Sequence, residues 1–287
     1  GVHDGINYID NNTVTLVLHA PYKNSVYAIG DFNNWTANSN HQMNRTTASD
    51  VDKELRFWIT INGLISGKEY LFQYLVDEEM RIADPYTEKI SDPWNDKYIA
   101  SETYPNLIPY PSGKTSDIAS VFQTAQIDYN WQVVDFTPPK INDLVIYELH
   151  IRDFTTKADY QTMIDTIGYL KKLGINALEL MPISEFEGND SWGYNPSFYF
   201  APDKAYGTKN RLKEFIDVCH QNGIAVIMDM VLNHSYGQSP LVKLYFNPAA
   251  GSYGQPTSQN LWYNQTSPNT AYSWGNDFNH ESIYTKQ

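Results

Sequence analysis

Three apolar runs, separated by two stretches of helical spacing, constrain this chain more than any other feature. Leu144 to Leu149 (LVIYEL) is continuously apolar up to its glutamate, as expected of a strand buried on both faces. Tyr160, Met163, Ile164, Ile167 and Leu170 follow helical spacing, with Asp159 or Thr156 available as N-cap and Gly174 as the stop. Ile175 to Met181 (INALELM) reads as a second strand. Leu212, Phe215, Ile216 and Cys219 form a second helix, starting near Thr208 and ending at Gly223, and Ile224 to Val231 (IAVIMDMV) is a third strand. The order β-α-β-α-β predicts a parallel sheet with right-handed crossovers. The first crossover spans 31 positions and the second 49, with the surplus between Pro182 and Gly207. A loop of that length inside a compact domain is usually functional, and it leaves the carboxyl end of its strand, where parallel sheets build ligand sites.

The front of the chain has a different rhythm. Thr13 to His19, Ser25 to Ile29, Leu55 to Ile61 and Tyr70 to Val76 are short runs set apart by turn signals, which predicts a β-sandwich of immunoglobulin-like size. From Asp84 to about Lys140 the chain is proline-rich, loses periodicity and reads as the sandwich's last strand plus a linker. The expected division is an immunoglobulin-like sandwich over residues 1–104, a proline-rich linker over 105–140 and an α/β unit over 141–287. A net charge of −13 argues against nucleic acid, because phosphate backbones reward clustered Lys and Arg. The single cysteine, Cys219, excludes an internal disulfide. No apolar run reaches the roughly 20 residues needed to cross a bilayer, so no membrane insertion is expected, and the start at Gly1 shows no signal-peptide pattern. A neutral ligand is the better expectation, and 22 tyrosines with 7 tryptophans suit a sugar.

Two places concentrate chemistry. The long loop carries Ser191-Trp192-Gly193-Tyr194-Asn195-Pro196-Ser197-Phe198-Tyr199-Phe200, which reads either as a stacking wall for a ligand or as a loop packed on its own rings. Asp229 sits in an otherwise apolar strand, where a buried carboxylate needs a cation or a set of donors. Asn233 and His234 follow where that strand gives way to a loop, so all three reach one pocket. Glu148 and Glu179 lie inside their strands and read as structural, and the histidines at 3, 19, 41, 220 and 280 are scattered.

These segments resemble the α-amylase superfamily, glycoside hydrolase family 13. Asp229-Met230-Val231-Leu232-Asn233-His234 is similar to its third barrel strand, IYELHIRDF to its first and INALELMPI to its second, while WGYNPSFYFAP followed by AYGT resembles the loop after strand 2. The front resembles the early-set sandwich related to carbohydrate-binding module family 48, through VTLVLHAP, VYAIGDFNNW and YLFQYLVDEEMRIADPY. Trp35 matches a glycogen-stacking tryptophan of those relatives, but Gln73 replaces their lysine and no second tryptophan stands near Met80, so a supporting sandwich is expected rather than a starch-binding module.

The resemblance implies the first part of an α/β TIM barrel acting on α-glucan. Tyr194 would stack on the sugar at the cleavage subsite with Trp192 beside it, His234 would bond that sugar's 6-hydroxyl, and Asp229 would orient an arginine from strand 4. Asn233 matches a calcium ligand in the α-amylases, so calcium is a possible cofactor and no other is required. The family's catalytic Asp, Glu and Asp have no counterpart among these residues and are expected beyond Gln287. Leu144 to Gln287 supplies 144 positions, whereas a barrel takes roughly 250. The expectation is therefore a fragment of a secreted or periplasmic retaining hydrolase, inactive alone. The alternatives are a branching or other transglycosylating enzyme and a non-catalytic glucan-binding or regulatory protein. A nucleotide-binding α/β domain is disfavoured, because no glycine-rich loop follows Leu149.

Overall fold

The alternating runs of the front half pair into two antiparallel sheets. The structure, a computed structural model, describes residues 2–46, 52–250, 255–271 and 273–287. Its first nine strands are β1 (Gly5–Asp10), β2 (Thr13–His19), β3 (Val26–Gly30), β4 (Asn44–Arg45), β5 (Arg56–Ile61), β6 (Glu69–Val76), β7 (Met80–Ile82), β8 (Ile90–Ser91) and β9 (Ala119–Gln123). One sheet has the order β1-β2-β5-β4 and the other β3-β6-β9-β8, with β7 also on β6. In β5 the pleat sends Phe57, Ile59 and Ile61 inward while Trp58 faces solvent. β6 is buried along nearly its whole length, because Phe72 and Tyr74 face the main core while Leu71 and Leu75 pack with Trp35 and Val121 on the other face.

β9 corrects the expected domain boundary. It lies in the stretch read as linker, yet Tyr70 pairs with Phe122 and Phe72 with Ser120. The sandwich therefore runs past residue 104 to Gln123. The proline-rich composition upstream concealed this, because Ala119–Gln123 is covered on both faces and shows no alternation. The remaining connector is fastened to the second half. Asp217 of the second long helix accepts the backbone N–H groups of Gln132 and Val133 and the Tyr129 hydroxyl.

The second half has three parallel strands, β10 (Ile146–Leu149), β11 (Ala177–Leu180) and β14 (Ala225–Met228), in the order β10-β11-β14. A single turn, α1 (Ile151–Phe154), follows β10, and α2 (Tyr160–Lys172) and α3 (Lys209–Gln221) make the crossovers. Asp159 caps α2, accepting the Thr162 N–H at 2.8 Å, and Thr208 caps α3 through Arg211 N–H. Leu149, Leu178 and Leu180 pack under the helices with Met163, Ile167, Leu170 and Phe215. The sheet is not buried on both faces as the sequence suggested: Ile146 and Glu148 are exposed, because both helices cover the same side.

Two features were not anticipated. The long loop folds into an antiparallel hairpin, β12 (Ser184–Phe186) with β13 (Pro196–Pro202), whose Phe198 and Ala201 pack on Ala83, Ile90 and Ile118 of the sandwich. The described residues from His234 onward form short pieces: β15 (His234–Ser235) with β18 (Asn276–Asp277), β16 (Phe246–Asn247) with β17 (Gln255–Pro256), and the turns α4 (Pro240–Lys243) and α5 (Ile283–Lys286). Val242, Leu244, Tyr245, Trp262 and Tyr263 join the same core as Val14, Phe57 and Phe72 of the sandwich.

Candidate functional site

The ladder of the parallel sheet extends beyond its strands at the carboxyl edge. Met181 N–H donates to Leu149 O and Asp229 N–H to Leu180 O, both at 3.0 Å, so His150, Pro182 and Asp229 begin loops from a common edge. Glu148, Glu179 and Ile227 share one register row. Strand alternation puts Asp229 on the same face as Ile227, so three carboxylates share the face the helices leave open.

Tyr194 reaches that face from the hairpin. Its hydroxyl donates to Asp229 Oδ2 at 2.7 Å. Desolvation, the bond to Asp229 and the charges of Glu148 and Glu179 push the phenol up to about 12, so it remains a donor at neutral pH. Asp229 is only half-buried, and its partner among these residues is the Tyr194 hydroxyl, not the arginine expected from a strand 4. The open sheet face leaves it less desolvated than the apolar sequence context implied.

His234 fixes the loop that carries Tyr194. It is buried, with Nε2 at 2.9 Å from the Tyr194 carbonyl and Nδ1 at 3.1 Å from Asn233 Oδ1. A carbonyl only accepts, so the Nε2–H donates to it. The Tyr199 hydroxyl donates to His234 O at 2.5 Å, tying the hairpin to β15. Gly193 makes the turn possible: its φ is +87°, and a Cβ there would stand 2.5 Å from Pro182 O.

The aromatic segment divides instead of forming one wall. Trp192 is 60% exposed and Tyr194 39%, whereas Phe198 is in the core, Tyr199 lies against Phe278 and Phe200 against Tyr86 of the sandwich. Phe200 is itself 56% exposed, but it leans on Tyr86 of the sandwich, so Trp192 and Tyr194 are the exposed rings on the loop that reaches Asp229.

Asn233 is exposed, and its side-chain oxygen is engaged with His234. Among the described residues no group of three or more His, Cys, Asp or Glu side chains is placed to hold a metal. Calcium takes six to eight oxygens, of which Asn233 would supply one.

The front domain offers no stacking tryptophan at Trp35. Its ring is 6% exposed and packs among Ile29, Leu71 and Val121, with the indole N–H donating to Asp31. Gln73 is buried too, clamping the loop before β9 through the carbonyls of Ser116 and Ile118 and the Thr115 hydroxyl. Both residues build the sandwich.

Sequence reading missed a buried ionic cluster behind the hairpin. Lys204 follows β13, and its ammonium contacts Glu185 of β12 and lies 3.2 Å from Asp96 of the sandwich. Lys204, Glu185 and the adjoining Asp203 are all at most 5% exposed. Burial, opposed by Lys204, pushes Glu185 up to about 8 and Asp203 up to about 6. Burial alone would lower the lysine, but Glu185, Asp96 and Asp203 outweigh it and hold Lys204 above its ordinary value. Neither spacing nor hydropathy marks these residues, since the cluster exists only once the two halves meet. No helix among the described residues is long and apolar enough to cross a membrane.

The comparisons with known proteins agree on a family. Residues 110–286 match the model of the α-amylase catalytic domain. The malto-oligosyltrehalose trehalohydrolase of Saccharolobus solfataricus is 30% identical over 79% of this chain and 34% of its own length. The 1,4-α-glucan branching enzyme of Pseudoalteromonas atlantica is 31% identical over 76% of this chain and 28% of its own length. The crystal structure of a putative α-amylase from Salmonella typhimurium superposes with a TM-score of 0.70 at 21% identity, covering all of this chain and 40% of that one. The chain thus spans about a third of the curated relatives it matches.

Proposed function

This chain belongs to the α-amylase family, and we propose that in the whole protein it forms one wall of the active site of a retaining α-glucan hydrolase. The observation that carries the reading is the Tyr194–Asp229 bond at the carboxyl edge of a parallel sheet, the edge where barrels of this kind do their chemistry. The exposed face of Tyr194, with Trp192 beside it, stacks on the C–H face of a glucose unit. Asp229 holds the Tyr194 ring at its hydroxyl, while His234 holds the loop backbone at the carbonyl. A sugar 6-hydroxyl would have to replace one of the two protein contacts of His234. The three-stranded sheet is read as the start of the barrel and the sandwich as its structural support.

Retaining hydrolysis needs an acid/base carboxyl and a nucleophile about 5–5.5 Å apart, forming and then hydrolysing a covalent glycosyl-enzyme. None of the residues in this chain is assigned either role. Glu148 and Glu179 lie at the same height on neighbouring strands, and we read them as the acidic floor beneath Tyr194. The test is product analysis of the whole protein on amylose, with the anomer of the first product read by NMR. Shorter linear chains released with α-configuration support the reading. New 1,6-branches would make it a transglycosylase, and β-products would overturn retention. The 287-residue chain alone is expected to release no product.

A further inference from the structure

A second place in the molecule is shaped to take a ligand. A cleft of about 470 Å3 opens between the sandwich and the α/β half; it touches the end of the hairpin at Pro202 but takes in neither Tyr194 nor Trp192. That volume lies within the range of small-molecule sites, roughly 300–1,000 Å3. Its walls come from the ends of β6 and β9, the first residues of the connector and the first turn of α3.

The chemistry of those walls selects the ligand. Each cation at the mouth is already paired with an acid: Lys89 with Glu69 and Lys209 with Glu88, both at 2.7 Å. A lining so neutralised offers no free charge to an anion or a cation. It does offer amides and hydroxyls, with Gln126 bridging Lys209 and the Tyr8 hydroxyl. Rings stand at the cleft as well: Tyr8 is 45% exposed, and Tyr104 has the Lys89 ammonium over one face at 4.8 Å. Gly67 presents bare backbone, with open space where a Cβ would stand. Neutral hydrogen-bonding groups, ring faces and side-chain-free backbone together match a neutral polyhydroxylated molecule.

We propose that this interdomain cleft is a non-catalytic binding site for a neutral oligosaccharide, and specifically for an α-linked glucan segment. The α-glucan assignment rests on the function proposed above; the neutral, polyhydroxylated class does not. An occupant touches both halves and so draws them together.

The test is hydrogen–deuterium exchange on the full 287-residue chain, titrated with maltoheptaose and separately with cellohexaose. Maltoheptaose is expected to protect peptides covering residues 121–127 and 207–212, and Tyr194→Ala should leave that protection intact. Tyr8→Ala should weaken it about tenfold, the effect of losing one contributing contact. Asn210→Trp, at an exposed position on the first turn of α3, should abolish it by filling the cleft without disturbing a core. Protection confined to residues 192–199 would overturn the cleft site while leaving the proposed function standing. Equal protection by cellohexaose would overturn the α-linked assignment. Protection by neither sugar at 121–127 and 207–212 would overturn the site altogether.

Discussion

Replacing Lys204 by methionine should show how much of the join between the two halves depends on one ammonium. Methionine fills most of the lysine stem's volume, so the change removes charge more than packing. It leaves Glu185, Asp203 and Asp96 buried together without a cation. Breaking a buried pair by removing one partner costs about 3–5 kcal/mol. The cost depends on pH. Glu185 in the folded protein sits at about 8, above its ordinary 4.5, so it favours the folded state fully below pH 4.5 and progressively less up to pH 8. Without Lys204 the carboxyls bind protons still more tightly when folded. The variant should therefore lose little at pH 5 and the full ~3–5 kcal/mol at pH 8. Urea unfolding followed by tryptophan fluorescence at pH 5, 6.5 and 8 measures this. Adding Glu185→Gln should recover part of the loss, because it removes one of the stranded charges. A deficit under about 1 kcal/mol at pH 8, or one equal at pH 5 and pH 8, would refute the reasoning.

Three further outcomes are expected. Gly193→Ala should shift the Tyr194 loop, since φ is +87° and the new methyl meets Pro182 O; a weakened maltoheptaose affinity with unchanged melting of the sandwich would be the signature, and unchanged affinity would count against it. Cys219 is buried and pushed up to about 12 by desolvation, so a thiol reagent at pH 8 should label it only after denaturant is added; rapid labelling of the native chain would contradict its burial. Burial lowers the pKa of His19, which lies beside Trp262 and Tyr284, so its contribution is present above pH 6.5 and lost as pH falls through the folded-state value. His19→Gln should flatten the melting temperature between pH 5 and 7, and an unaltered pH profile would show that His19 plays no such part.

The parallel half was legible because its physics is local. Asp159 and Thr208 are caps that sequence spacing can locate, and Met163, Ile167 and Leu170 repeat at the helical period because α2 buries one face. Asp229 was legible as a carboxylate in an apolar strand and Tyr194 as part of an aromatic loop, with their roles implied by a resemblance, but the bond between them depends on where the hairpin lands. What stayed hidden depends on the meeting of distant segments. Ala119–Gln123 gives no alternating signal because both of its faces are covered, and Trp35 looks like a surface ring until β6 and β9 close around it. Lys204 reads as a solvated loop lysine, and only the approach of Asp96 and Glu185 makes it a buried one.

The tail that completes the sandwich sets the order in which this chain can fold. Tyr245 donates its hydroxyl to the carbonyl of Pro21, and the Tyr284 hydroxyl meets Glu54 at 2.6 Å, contacts spanning 224 and 230 residues. Closing loops of that length has an entropic cost before any contact repays it, which slows folding. At synthesis rates of about 5–20 residues per second, the front sheets wait roughly 6–28 s on the ribosome before Tyr245 and Trp262 emerge. During that interval the apolar surface around Val14 and Phe57 lacks its last cover, and the nascent chain is at its most vulnerable to aggregation.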